Sequence, residues 1–254
     1  MFPYKDDNPT ILTPYVTIGI VVVSCLVWLF VQHAGIEPGL SRSVCNLGAI
    51  PARLFDLPVE PIHTRRGPVL MCQGAPQGAW YTLISSIFLH GGWFHLIGNM
   101  LFFWVFGNNV EDAMGPVRFV FFYLLCGVIA ALAQILIQRG SPVPMVGASG
   151  AISGVMGAYL ILYPRVRVHV LVFLGIFITT VTVPAYVMLI YWVLLQAVGS
   201  LPTIAGSATG GGVAFMAHLG GFASGLALIK LFAKPELIAA HRARTTVQFR
   251  QPPW

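Results

Sequence analysis

Gly147-Ala148-Ser149-Gly150-Ala151-Ile152-Ser153-Gly154-Val155-Met156-Gly157-Ala158-Tyr159-Leu160-Ile161-Leu162-Tyr163 is an uncharged, apolar run with a hydroxyl, Ser149, near its start. A second apolar run, 213–232, carries an imidazole near its own start, in Ala217-His218-Leu219-Gly220-Gly221. Both runs are close to the roughly 20 residues that cross a hydrocarbon core. A hydroxyl and an imidazole are costly in lipid unless they satisfy each other or face a wetted cavity. Two such groups at one depth point to nucleophilic chemistry inside a bilayer.

The rest of the chain agrees with a lipid solvent. Of 254 residues, 57% are hydrophobic and 9% charged, and mean hydropathy is +0.80; soluble domains carry roughly 25% charged residues. The expected class is an integral, multi-pass, all-α membrane protein with the bilayer as its main surroundings and no separate soluble domain. Six runs qualify as spans: 14–32, 93–110, 116–137, 147–163, 182–199 and 213–232. Residues 168–181 are apolar too and are read either as part of a long fifth helix or as an interfacial loop. The run Tyr15–Val31 is longer than the core of a cleavable signal peptide, so it is read as a retained first helix.

The net charge of +6 does not point to nucleic acid, because the basic residues are scattered through loops and tail. They set orientation instead. An inside N-terminus leaves nine basic residues inside: Lys5, Arg118, Arg165, Arg167, Lys230, Lys234, Arg242, Arg244 and Arg250. Five lie outside, namely Arg42, Arg53, Arg65, Arg66 and Arg139, four of them in one long loop where charge counts for less. Six spans with both termini cytoplasmic follow, in a plasma (inner) membrane. The expected organisation is a cytoplasmic segment 1–13, a membrane domain 14–232 and a basic cytoplasmic tail 233–254.

The long external loop, His33 to Ala79, is broken by prolines and glycines and is expected to pack on the membrane surface. Cys45 and Cys72 lie in it and could pair if it faces an oxidising compartment. Cys25 and Cys126 fall in apolar spans and read as packing residues. The uncharged Ser200–Gly212 connection, with Gly206, Gly210, Gly211 and Gly212, reads as a flexible lid.

With an inside N-terminus, the second, fourth and sixth spans begin outside and run inward. His95 and Asn99, four residues apart on one helix face, then join Ser149 and His218 within a turn or two of the outer surface. Ser149 needs a base and His218 is the natural one. No Asp or Glu lies within the spans as drawn, which leaves a dyad. Pro142 and Pro144 precede a helix starting near Gly147, so free N–H groups stand close to Ser149 and can bind a developing oxyanion. Asn99 and His95 add side-chain donors. Gly147 and Gly150 permit close backbone approach, while Gly221 and Gly225 form a G-x-x-x-G pair that can pack on Gly150, Gly154 and Gly157.

In His95-Leu96-Ile97-Gly98-Asn99, Gly147-Ala148-Ser149-Gly150 and His218 with Gly221-x-x-x-Gly225, the chain resembles the rhomboid intramembrane serine proteases. Order and spans match over about 14–232. The resemblance implies a six-transmembrane rhomboid-type bundle, a Ser149–His218 dyad, and an oxyanion site from His95, Asn99 and the Ser149 amide. It further implies cleavage of membrane-anchored substrates within a transmembrane segment near the outer face, with no metal or cofactor. His90 resembles a position that braces the first loop, and Glu111 and Arg118 resemble a cytoplasmic-side structural pattern. One departure stands out. Some bacterial members carry a Tyr one turn after the nucleophile, stacked on the histidine, and here that residue is Ser153.

Other readings compete. A lone Ser in an apolar helix usually back-bonds to its own turn, whereas an intramembrane His is rarer and more often functional. His33, His63, His169 and His241 read as solvated; Trp93, Phe94, Phe102, Phe103 and Trp104 as lipid-facing or belt residues; Gln134 and Gln196 as interhelical bonds. A transporter would place polar or charged groups around the midplane, unlike the clustering here near one face. A catalytically inactive rhomboid-like protein that binds membrane clients would keep the fold and lose the dyad.

Overall fold

A strand, β1 (Phe2–Asp6), precedes the first apolar helix, α1 (Tyr15–Leu26), which widens into a π-type turn over Val27–Val31. The connection that follows holds α2 (Gly39–Leu47), α3 (Pro51–Leu54), a two-stranded ribbon of β2 (Ile62–Thr64) and β3 (Gly67–Val69), and α4 (Thr82–Ser85). Then come α5 (Trp93–Met114), α6 (Pro116–Ile137) and α7 (Ser149–Leu162). Strands β4 (Arg167–Leu174) and β5 (Phe177–Pro184) lead into α8 (Ala185–Ile204), α9 (Phe215–Phe232) and α10 (Pro235–Arg250). This computed structural model describes residues 2–58, 62–64, 67–69, 72, 74–174, 177–204 and 213–250.

Among the described residues, α6, α8 and α9 are long and apolar enough to cross a membrane, and Tyr15–Val31 and α7 are shorter apolar helices. Helix α5 is equally long but ends in Asn108, Asn109, Glu111 and Asp112. Between α5 and α6, Gly115 takes φ +76° and Pro116 opens the next helix. Glycine supplies the left-handed turn and proline fits a first-turn position whose N–H has no helical acceptor.

Helix α7 is the axis of the bundle. Every residue from Gly150 to Tyr159 is buried, because α5, α6, α8 and α9 surround it. Small residues make that possible. A Cβ on Gly221 would overlap the carbonyl oxygen of Gly150, and one on Gly225 would overlap that of Gly154. Without a hydrophobic driving force between lipid-bathed helices, such backbone approach is what van der Waals packing requires. Cys126 on α6 packs against Gly154 from the other side. Helices α1 and α8 turn apolar side chains outward, with Phe30 73% and Val198 64% exposed, as a lipid-facing layer should.

The all-α expectation needs correction. Residues 167–174 and 177–184 are strands rather than helix or loop: β4 and β5 pair antiparallel from Arg167↔Pro184 to Leu174↔Phe177. Strand β1 adds to the other edge of β4, with Phe2↔Leu171 and Asp6↔Val168. The reason is local. Val166, Val168, Val170, Val172, Thr179, Thr180, Val181, Thr182 and Val183 crowd β-branched side chains that pack well on a pleated surface and lose freedom in a helix. The sheet follows the C-terminal end of α7, so it sits at the end of the bundle opposite Ser149, roughly 20 Å away at 1.5 Å per helical residue.

Three further readings change. Ser200 to Ile204 form the last turn of α8 rather than a loop, and the rest of the presumed lid, 205–212, lies outside the described residues, as does His63's side chain. His241 is buried, its ring nitrogen bonded to the Pro9 carbonyl, whereas His169 stays part-exposed as expected, between Asp7 and Thr182 at 2.8 and 3.0 Å. Phe103 is wholly buried against Phe119 and Tyr123, whereas Phe94 is 94% exposed.

Glu111 and Arg118 do serve the end of the bundle where β1 lies, but separately. Glu111 accepts from the Val16 and Thr17 amides and the Thr17 hydroxyl at the start of α1, at 2.7–2.9 Å. Its charge sits at a helix N-terminus, where four amides have no helical acceptor. Arg118 bonds the Phe232 carbonyl at the end of α9.

Candidate active site

Ser149 is the first residue of α7, and His218 lies in the first turn of α9. The interlocked glycines of these helices hold them so close that Ser149 Oγ lies 2.7 Å from His218 Nε2. Such contact across two helices, 69 residues apart, cannot come from local sequence. Ser153, one turn on, back-bonds to the Ser149 carbonyl at 2.6 Å and does not reach the histidine.

The chain before Ser149 is pinned from several sides. Ala49 and Met145 exchange backbone hydrogen bonds, the Ala52 amide bonds the Ser141 carbonyl, and the Gly147 amide donates to Ser86 at 2.9 Å. Residues of the long first connection therefore prop the segment that presents Ser149. Cys45 and Cys72 form a disulfide within that connection.

Gly147 has φ +127°, and a Cβ there would lie 2.8 Å from Cε1 and Nε2 of His95 and 3.7 Å from Nδ2 of Asn99. Both α5 side chains thus face the strained turn just before Ser149. The Gly91 amide donates to His95 Nδ1 at 3.2 Å. That leaves the neutral ring its proton on Nε2, the atom beside Gly147. Asn99 is buried, and its Nδ2 has no acceptor among the described residues. A buried amide without a partner is rare. Two N–H donors consequently converge beside the turn that presents the serine, and among the described residues the Asn99 amide has no acceptor.

Behind His95 lies His90, fully buried, its ring 5.3 Å from that of His95 in an edge-on contact. Burial pushes its pKa down to about 3, and the neighbouring His95 adds to the effect. Gln32, at the end of the first helix, clamps the His90 backbone through both amide atoms, at 2.7 and 2.8 Å. Gln134 on α6 accepts from the Met216 and Ala217 amides at the start of α9, which fixes the height at which His218 enters.

Sequence reasoning treated Gln196 only as an interhelical bond. The structure places its Oε1 2.8 Å from His218 Nδ1, with Trp192 on the same helix 5.7 Å ring to ring from the histidine. The only signal in the sequence was an uncharged polar residue and a Trp one helical turn apart in an apolar span.

Among the described residues no cluster of His, Cys, Asp and Glu could hold a metal ion. The site is a serine, an imidazole and a set of N–H donors, suited to acyl transfer through an oxyanion.

These features define a class: an integral membrane protein of packed apolar helices with a serine–histidine contact buried among them. Comparison with known proteins makes it specific. The Rhomboid domain model matches residues 77–235, more than half of the chain, and the chain belongs to the rhomboid family. It is 43% identical over 84 residues to Rhomboid protease GluP of Bacillus subtilis, covering 33% of this chain and 16% of that protein. It is 32% identical over 149 residues to RHOMBOID-like protein 1 of Arabidopsis thaliana, covering 58% and 33%. With the Presenilin-associated rhomboid-like protein, mitochondrial, of Rattus norvegicus, identity is 33% over 142 residues, covering 55% and 37%. The matches thus span well under two thirds of these relatives' own lengths.

Proposed function

We propose that this protein is an intramembrane serine endopeptidase that cleaves membrane-anchored substrates within a transmembrane segment. The observation that carries the reading is the 2.7 Å contact between Ser149 Oγ and His218 Nε2, in a chain of the rhomboid family. Ser149 attacks the scissile carbonyl while His218 takes its proton, the amine leaves with that proton, and water hydrolyses the acyl-enzyme by the reverse sequence. The oxyanion is received by His95 Nε2–H, the Asn99 amide and the first-turn N–H of α7. Each such donor contributes about 2.7–4 kcal/mol of transition-state stabilisation. No metal or cofactor takes part in this scheme.

The substrate must leave helical form to present its carbonyl, because an intact helix keeps its amides internally bonded. Small or helix-weakening residues around the cut are therefore favoured. The helices 15–31, 93–114, 116–137, 149–162, 185–204 and 215–232 act as six spans of one membrane domain, 14–232, between a cytoplasmic segment, 1–13, and a basic cytoplasmic tail, 233–254. The Cys45–Cys72 disulfide supports an oxidising, external face for the first connection, and hence a plasma (inner) membrane with the sheet of β1, β4 and β5 on the cytoplasmic side.

Purified protein in liposomes with a generic transmembrane substrate tests the reading. Wild type should cleave it and react with a fluorophosphonate probe, and Ser149→Ala should do neither. His218→Ala should lose turnover. Client binding without cleavage or labelling by wild type would favour the inactive, client-binding role, and cleavage surviving in both variants would remove the dyad.

A further inference from the structure

We propose that Gln196 is the positioning residue of the Ser149–His218 pair, a neutral third member that fixes the imidazole in the tautomer a general base requires. This rests on the proteolytic reading above. The amide of Gln196 is oriented by its own helix, since Nε2 donates to the Trp192 carbonyl at 3.2 Å. A carbonyl can only accept, so Oε1 is the atom turned to the histidine, 2.8 Å from Nδ1. That oxygen can only accept in its turn. His218 therefore carries its proton on Nδ1 and offers a lone pair on Nε2, 2.7 Å from the Ser149 hydroxyl.

The opposite tautomer would set an N–H against the serine and a lone pair against the Gln196 oxygen, spoiling both contacts. His95 is held the other way round: its Nδ1 accepts from the Gly91 amide, which puts its proton on Nε2, beside Gly147. Two histidines near one turn are thus fixed in opposite tautomers, one as base and one as donor, and each is set by a neutral partner.

Gln196 is buried and comes from α8, so a third helix joins the α7–α9 contact. Trp192, one turn earlier, lies 5.7 Å ring to ring from the imidazole and tilts 37° against it. These two α8 residues occupy the role left open by Ser153. When Ser149 Oγ bonds to the substrate carbonyl carbon, its proton passes to Nε2, and the resulting imidazolium keeps its Nδ1–H on Gln196 Oε1. The amide cannot take a proton there. It orients the ring and offers a dipole to the cation without an ion pair.

Without Gln196 the ring divides between tautomers and rotates more freely, but part of the population remains competent. The loss should therefore be smaller than the whole 10²–10⁴-fold contribution of a general base, and about 10- to 100-fold in kcat is expected for Gln196→Leu, with KM nearly unchanged. Gln196→Glu keeps the length and the acceptor and should recover most of the rate. Its carboxylate also favours the imidazolium, so the acidic limb of the kcat profile should move to higher pH.

The experiment pairs these pH profiles in liposomes with nitrogen-15 NMR of histidine-labelled protein, in which His218 is assigned by its loss in His218→Ala. Wild type should show one His218 tautomer, protonated on Nδ1, and Gln196→Leu a mixture. A Gln196→Leu enzyme with wild-type kcat and pH profile, or a wild-type His218 protonated on Nε2, would overturn the proposal. A merely structural Gln196 would lower thermal stability and leave tautomer and acidic limb where they were. If wild type proves inactive or Ser149→Ala still cleaves, the proteolytic reading fails, and the tautomer spectra still decide the Gln196 contact on its own.

Discussion

Substituting Gly147 by Ala probes the oxyanion reading at its most constrained point. The residue sits at φ +127°, where an L side chain is strained by about 1–3 kcal/mol. Against an overall stability of roughly 5–15 kcal/mol that is tolerable, so the variant should fold with a lowered melting temperature. The new Cβ would stand 2.8 Å from Cε1 and Nε2 of His95. Carbon contacts normally begin near 3.5 Å, so the ring must retreat by roughly 0.7 Å. That displacement takes the Nε2–H donor away from the place where charge develops. Complete loss of one donor costs about 2.7–4 kcal/mol, or 10²–10³ in rate, and a displaced donor should lie near the lower figure. The expectation is a fall in kcat of about 10²-fold with little change in KM, measured on a transmembrane substrate in liposomes. If Gly147 acts through His95, Gly147→Ala combined with His95→Ala should lose little more than His95→Ala alone. Independent sites would multiply their effects. A folded Gly147→Ala protein turning over within twofold of wild type, or a fully multiplicative double variant, would mean that His95 Nε2–H does not serve the oxyanion from beside Gly147.

Other outcomes follow from the same coordinates. Gly225→Ala drives a Cβ into the Gly154 backbone and should cost about 1–3 kcal/mol by overpacking. It should also slow turnover by stretching the Ser149–His218 contact two turns away, whereas Gly98→Ala, whose Cβ meets nothing within 4 Å, should leave both stability and rate close to wild type. Glu111→Ala removes the acceptor of three hydrogen bonds at the start of α1 and should destabilise by roughly 2 kcal/mol or more, read by thermal unfolding in detergent. Asp6 is held up to about 6, chiefly by burial, against the opposing hydrogen bond from Tyr159. Because the folded state favours its protonated form, its contribution is fully present below the ordinary value near 3.8 and is lost as pH rises through about 6. Melting temperature should accordingly decline across pH 4 to 6 in wild type, and Asp6→Asn should remove most of that decline.

Much of the candidate site was legible before any coordinates. Ser149, His218, His95 and Asn99 are polar groups in apolar runs, and lipid makes such groups expensive enough to be conspicuous. The glycines beside them were legible for a related reason, since membrane helices approach closely only where side chains are small. The antiparallel pair of β4 and β5 was misread because an uncharged run rich in Val and Thr satisfies a hydropathy window as well as a helix does, and hydropathy carries no information about backbone hydrogen bonding. His241 and Phe103 were misplaced because their burial depends on partners far along the chain, Pro9 and Phe119 among them.

Residue order alone sufficed to show that the chain suits lipid, which runs are apolar enough to lie there, and which few side chains are out of place in them. Those properties belong to single residues and their immediate neighbours. It took the folded arrangement to show that Gln196 faces His218 Nδ1, that the Gly91 amide faces His95 Nδ1, and that β1 extends the sheet of β4 and β5. Each depends on where a hydrogen-bond partner from a distant segment comes to rest. An amide or an imidazole has more than one way to bond, and its surroundings choose among them.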